Sequence, residues 1–478
     1  RLYRPVIALA LLACSGAAYA AQPFIDHSNP DLTVMSFYEI PYAEGVTFVR
    51  RTAQVFPDTD AGTVTGRASY QFRNASGQEQ SISFGINPGY AISNVKANGA
   101  DVPFTVSDYQ EYNEALLEVT IPAEEEVELT MEYSGFPQES MPTMQGGKEL
   151  SREYLCLENS ALSPRVMNVL PGEAGYPAEI EITLPENMLA IPFGSSEAEV
   201  VAEHGDGTRT WRYEHNGAGG ILYAGDYIRE DIEAGGMTIE FYYGRKHQAV
   251  MEAAKAVDAV KEVVDYCTEH YGPLSFGTGE TLKLIQSRVA GGGYATTGAS
   301  LLDEADFTAA NLSNAEKGGG SGEVMIHELV HQWWGLGNMF DTSDSTSPWS
   351  AEGLTVYTTY RIVKELYDED YAQEHYVDQW QKAVDDYYLY FYVRIPEYLE
   401  MLPEQVQLAI SNSLSQVRQY NEMPLKIWKA EQLVGGEDAF DQILNSLFNR
   451  ELDPMYPYLT YQDFLNACGL AEEDLNLD

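Results

Sequence analysis

Residues Gly318–Gly335 read GGGSGEVMIHELVHQWWG, and the spacing within them decides what the surrounding chain must build. His327 and His331 stand four residues apart, which on an α-helix stacks both imidazoles on one face, about 6 Å apart along the axis. Two nitrogen ligands so placed can grip one metal ion. Zinc suits them, because it accepts imidazole and carboxylate, and its catalytic sites take three protein ligands and leave the fourth position to water. Glu328 adjoins the first ligand but is turned around the helix, so it reaches the water rather than the metal and can act as general base. The competing reading is a chance pentapeptide whose histidines are buried against Trp333 and Trp334.

Working outward, the third ligand is expected on a later helix. PWSAEGLTVYTTYRIVKELYD (348–368) has the apolar spacing of a helix starting near Ser350, with Glu352 at its N-terminal end. Read without the preceding motif, Glu352 would be a helix-dipole partner or cap. Upstream, Thr281–Ser287 (TLKLIQS) reads as a strand, and Gly291–Gly293 suggests close backbone approach at a sheet edge. Val250, Ala254, Val257, Val260 and Val264 recur at helical steps on one amphipathic helix that ends before Gly272-Pro273. Tyr387–Tyr392 (YYLYFY) is expected to pack inside a helical layer.

Between about Thr47 and Tyr243 the period is two instead: Ala68, Tyr70, Phe72; Val127, Leu129, Met131, Tyr133; Ile180, Ile182, Leu184; Met237, Ile239, Phe241, Tyr243. Gly77, Asn98-Gly99, Gly135 and Gly205-Asp206-Gly207 supply turns at hairpin spacing. The change of period places a boundary near residue 245. The 478 residues thus give an α+β chain of two domains: an antiparallel β-rich N-terminal domain over 21–244, and a mainly helical domain with a small sheet over 245–478.

The composition is that of a folded protein, with 44% hydrophobic and 21% charged residues. With 73 acidic against 28 basic residues, a net charge of −45 repels phosphate backbones and argues against nucleic acid as a partner. Residues 1–20 lie within RLYRPVIALALLACSGAAYAAQ, where Arg1 and Arg4 precede an apolar run and then small residues. Cleavage after Ala20, lipidation at Cys14, or the end of a membrane-spanning helix that tethers the chain all fit. Each places the rest outside the cytoplasm: secreted, periplasmic or membrane-anchored. Cys14, Cys156, Cys267 and Cys468 lie far apart and suggest neither a thiolate metal site nor a disulfide framework.

HELVHQWWG followed by AEGLTVY resembles the aminopeptidase N family of gluzincin zinc metallopeptidases, which includes leukotriene hydrolases. That family places eighteen residues between the second His and the liganding Glu; here twenty, Gln332 to Ala351, intervene, which implies a longer Gly335–Pro348 loop. TYQDFLNACGL (460–470) resembles the segment that closes the family's catalytic domain. The resemblance implies a thermolysin-like fold for 245–478, one zinc ion per chain and a peptide substrate. It also implies that Tyr420, in QYNEMPLKIWKAEQLVGG, donates to the oxyanion of the tetrahedral intermediate. In YLCLENSALSPR it puts Glu158 where the substrate amine is bound.

One position departs from the family. Where its exopeptidases carry a G-x-M-E-N strand whose Glu binds the free amino group, this chain has Gly291, Gly292, Gly293, Tyr294 and Ala295, with no carboxylate. The strand can still align a peptide backbone by edge pairing. Zinc-dependent hydrolysis of peptides, aminopeptidase-like through Glu158, is therefore the expectation. The alternatives are an endopeptidase indifferent to the free N-terminus and a non-catalytic extracytoplasmic peptide-binding domain.

Overall fold

In the alternating segments every inward position is buried, as Ala68, Tyr70 and Phe72 show in strand Thr63–Asn74, whose neighbours Arg67, Gln71 and Arg73 face solvent. The computed structural model describes residues 40–108, 114–138, 150–194, 196–274, 281–288, 293–296, 298–307, 323–336, 338–339, 349–451 and 459–477. The chain falls into two compact units: 1–230 with 241–246 and 285–291, and 231–240 with 247–284 and 292–478.

The first unit is built on a nine-stranded sheet. Its central strands are Pro177–Pro185, Val46–Asp58, Thr63–Asn74 and Glu126–Gly135, in that order. Register puts inward rows opposite each other: Ala68 faces Met131, Tyr70 faces Leu129, and Phe72 faces Val127. Each large side chain so buried contributes roughly 1.5–3 kcal/mol relative to exposure. The strand pair Val46–Asp58 and Pro177–Pro185 runs parallel, an exception to the antiparallel reading. Asn98 and Gly99, at φ 48° and 81°, make the two-residue turn that joins Ala97 to its partner Ala100.

Three buried tyrosine hydroxyls on this sheet find carbonyl acceptors in one segment. Tyr70, Tyr90 and Tyr133 donate to the carbonyls of Pro164, Ala161 and Leu162 at 2.5, 2.7 and 2.6 Å. Arg51, buried in the same core, donates to Ser163 Oγ and to the carbonyls of Ala218 and Gly219. Together they fix the backbone that follows Glu158.

Strands Tyr227–Ala234, Met237–Gly244, Thr281–Ser287, Ala299–Asp303 and Gly293–Thr296 form a five-stranded sheet in that order, so Gly293–Thr296 is an edge among the described residues. The expected strand at Thr281–Ser287 is present and nearly all buried. The expected single helix after Gly244 is two, Gln248–Ala254 and Ala256–Tyr271, because Lys255 adopts a left-handed φ of 52° between them. The second of the two buries Val260, Val263, Val264, Cys267 and Tyr271.

Helix Leu354–Leu366 lies almost wholly in the core of the second unit and carries Arg361, whose side chain is 1% exposed. Arg361 donates to Glu365 and Asp441, and its Nη1 also donates to Tyr357, whose hydroxyl in turn donates to Glu431. A buried guanidinium needs this enclosure of acceptors to offset its lost hydration. The aromatic run departs from expectation. Helix Asp378–Leu389 ends inside it, Tyr390 is extended, and Tyr388, Leu389, Tyr390 and Phe391 are exposed rather than packed.

Residues 1–39 lie outside the described residues, and with them the leader or anchor reading of 1–20 and Cys14. No helix among the described residues is long and apolar enough to cross a membrane. Most of the Gly335–Pro348 loop also falls outside them. Cys156, Cys267 and Cys468 are free.

Candidate metal centre

His327 lies in the short helix Val324–Val330 and His331 at its C-terminal cap, whose N–H still donates to the His327 carbonyl at 3.1 Å. The four-residue spacing therefore keeps its helical meaning, and the two rings meet edge to face with centroids 4.6 Å apart. Trp333 and Trp334 anchor the turn beyond: both are fully buried, and their indole N–H groups donate to the Gly272 carbonyl and to Thr358 Oγ1.

Glu352 enters from a π-helical turn, Trp349–Gly353, that leads into helix Leu354–Leu366. A π turn holds an extra residue per turn and re-aims the side chains beside it, a device common at functional sites. Glu352 Oε2 lies 3.2 Å from His327 Nε2 and 3.6 Å from His331 Nε2. The contact with His327 has hydrogen-bond length but not its alignment, and this buried oxygen is left without a donor. One ligand atom from each residue lies within 4.8 Å of the others. Tetrahedral bonds of about 2.0–2.1 Å put neighbouring ligand atoms roughly 3.3 Å apart. The two imidazole nitrogens and the orphaned carboxylate oxygen therefore fit zinc in chemistry and in spacing.

Glu328 is buried outside that trio, against the edge strand Gly293–Thr296. A Cβ at Gly293 would come within 2.3 Å of Glu328 Cγ and 2.5 Å of its Oε1, so only glycine lets the carboxylate lie there. The hairpin that supplies the strand is tied to the helix. Ser300 Oγ donates to the Glu328 carbonyl at 2.8 Å, and Gln332 accepts from Gly298 N–H while donating to Ser300 Oγ. Tyr420 sits in a second π turn, Arg418–Glu422, with its ring 6.4 Å from that of His327 and its hydroxyl near enough to Glu352 to help lower that carboxyl's pKa.

Residues 255–396 match the model of the Peptidase family M1 domain. The chain carries an M1 peptidase domain. It is a zinc metallopeptidase, and His327, Glu328, His331 and Glu352 all lie inside the matched stretch. Yeast LTA4 hydrolase is similar in fold, with 12% identity and a TM-score of 0.50 over 89% of this chain and 64% of that one. The same enzyme in complex with bestatin gives 12% and 0.50 over 91% and 68%. An M1 zinc metallopeptidase from Deinococcus radiodurans is 18% identical over 91% of this chain and 92% of that one, with a TM-score of 0.49. No curated protein sequence matches.

Within the matched stretch the carboxyls of Glu328 and Glu352 are driven apart. Burial pushes Glu328 up to about 8, helped by the Glu352 charge and opposed by His327. Burial also raises Glu352, but His331, His327 and Tyr420 outweigh it and hold that carboxyl at about 2.

The remaining expected residues are placed as follows. Gly293, Tyr294 and Ala295 lie on the edge strand, the last two buried, while Gly291 and Gly292 fall outside the described residues. Glu158 is buried at the end of strand Tyr154–Glu158 in the first unit. Thr355, Gln332 and Ser300 escaped the sequence reading. For Thr355 a signal existed, since it lies three residues beyond Glu352 and so near it on the helical surface.

Proposed function

We propose that the chain is an aminopeptidase that uses His327, His331 and Glu352 as zinc ligands, Glu328 as general base and Tyr420 as oxyanion donor. The observation that carries this is the convergence of two imidazole nitrogens and an undonated, buried carboxylate oxygen, with the separate carboxyl of Glu328 buried beside them against Gly293. Zinc, when bound, supplies Lewis acidity that acidifies water and polarises the scissile carbonyl.

The chain's own residues do the rest. Glu328 takes a proton from the attacking water as the carbon–oxygen bond forms, then gives it to the leaving nitrogen as the carbon–nitrogen bond breaks. Tyr420 O–H donates to the oxygen that gains charge in the tetrahedral state, and burial keeps this phenol protonated for the task. The edge strand containing Gly293, Tyr294 and Ala295, with Gly291 and Gly292 before it, would align the substrate backbone by strand addition, and Glu158 would bind its ammonium group.

The leader-like residues 1–20 support an extracytoplasmic location. An endopeptidase is the second reading, favoured by the lack of any carboxylate in Gly291–Ala295. Paired digestion of free and N-acetylated peptides of the same sequence decides between them. The aminopeptidase reading expects cleavage of the free peptides alone, and equal cleavage of both sets sinks it. Glu328→Gln should lose about 10²–10⁴-fold in kcat while keeping its zinc.

A further inference from the structure

His331 turns Nε2 towards Glu352 and the other ligand atoms, which leaves Nδ1 on the far side of the ring. That nitrogen lies 3.1 Å from Thr355 Oγ1 and 3.3 Å from the Trp334 carbonyl oxygen. A carbonyl only accepts, so Nδ1 carries the hydrogen, and the Nε2 lone pair is the one free for a metal. Thr355 is fully buried, so water does not substitute for its hydroxyl. Both acceptors are themselves held. Trp334 is pinned through its indole N–H on Thr358 Oγ1, and the Thr355 carbonyl accepts from Thr359 Oγ1 at 2.8 Å.

Thr355 follows Glu352 by three residues where the π turn gives way to helix. A single turn of chain thus delivers one ligand and the hydrogen-bond partner of another. We infer that Thr355 is a positioning residue whose hydroxyl accepts the His331 Nδ1–H, fixing the tautomer and ring orientation of this ligand and so setting how tightly the site holds zinc. The inference rests on the zinc-ligand reading above. Partners of this kind orient a metal-binding imidazole and raise its basicity, and their loss typically costs 10–100-fold in metal affinity or activity. In Thr355→Val the ring N–H would keep only the longer contact to the Trp334 carbonyl and would face a methyl group on its other side.

The test is chelator competition for zinc on the full chain and on Thr355→Val, Thr355→Ala, Thr355→Ser and His331→Ala, with the visible absorption of the cobalt-substituted proteins as a second readout. Thr355→Val and Thr355→Ala are expected to bind zinc about 10–100-fold more weakly, with altered cobalt bands. Thr355→Ser, which restores the acceptor, is expected to stay close to the parent in both readouts. Unchanged zinc affinity in both Val and Ala variants would overturn the inference. So would a loss in the Ser variant as large as in the Val variant, since that would make packing the cause. If His331→Ala held zinc as tightly as the parent, the ligand assignment itself would fall, a result distinguishable from the other two.

Discussion

At Gly293 the absence of a side chain makes the room that the Glu328 carboxyl occupies. Its backbone stands where a Cβ would overlap Glu328 Cγ, Cδ and Oε1, all within 2.6 Å. The overlap has no cheap release on the helix side, because the Glu328 backbone is fastened to Ser300 and the helix is fastened through Gln332 to the same hairpin. Gly293→Ala should therefore displace the carboxylate from its place. A misplacement of about 1 Å in catalytic geometry costs on the order of 10²-fold, and that loss is expected in kcat, with zinc content unchanged. Steady-state kinetics beside metal analysis checks it, and a Gly293→Ala enzyme with parental kcat would remove Gly293 from this role.

Helix Leu354–Leu366 joins the metal centre at one end to a charged cluster at the other. Near its C-terminus, Glu365 accepts from Arg361 and from Tyr266 O–H, while His270, stacked on Tyr266, lies 2.8 Å from Asp441. The hydrogen bond to Asp441 raises the His270 pKa, with burial opposing and Glu365 adding to the rise. A raised value means that His270 stabilises the fold fully below its ordinary pKa of about 6.5, and that this contribution fades as pH climbs through the folded value. Asp441 is lowered by His270 and Arg361 against a burial effect that raises it, so its contribution is present above its ordinary range and fades in acid. The melting temperature should accordingly decline above about pH 6.5, and Asp441→Asn should flatten that decline. Superimposable curves for parent and variant from pH 5 to 8 would show that the pair does not couple to folding. Arg361 tests the same cluster without titration. Replacing it by Met strands Glu365, Asp441 and Glu431 around an apolar side chain and should destabilise the protein by about 3–5 kcal/mol in urea unfolding.

For the whole molecule, a net charge of −45 makes self-repulsion a general load on the folded state. Raising sodium chloride from about 0.1 M to 1 M shortens the screening length from about 10 Å to 3 Å, so the melting temperature should rise with salt. A fall would mean that the exposed ion pairs, such as Arg50–Glu179 and Arg212–Glu199, outweigh the repulsion. The sequence by itself determined what depends on neighbours a few residues apart: the His327/His331 pair, the alternation that buries Tyr70, Phe72 and Leu129, and the strand at Thr281–Ser287. Periods of 3.6 and 2 are local properties of the backbone and survive in any tertiary setting. Only the tertiary structure decided the break at Lys255, the π turns that aim Glu352 and Tyr420, the exposure of Tyr388–Phe391, the parallel pairing of the first strand, and the contacts of Gly293 and Thr355. Each depends on groups distant in sequence, as Gly293 does on Glu328 thirty-five positions away. No periodicity encodes such a contact, because it exists only once two separately folded segments have been packed together.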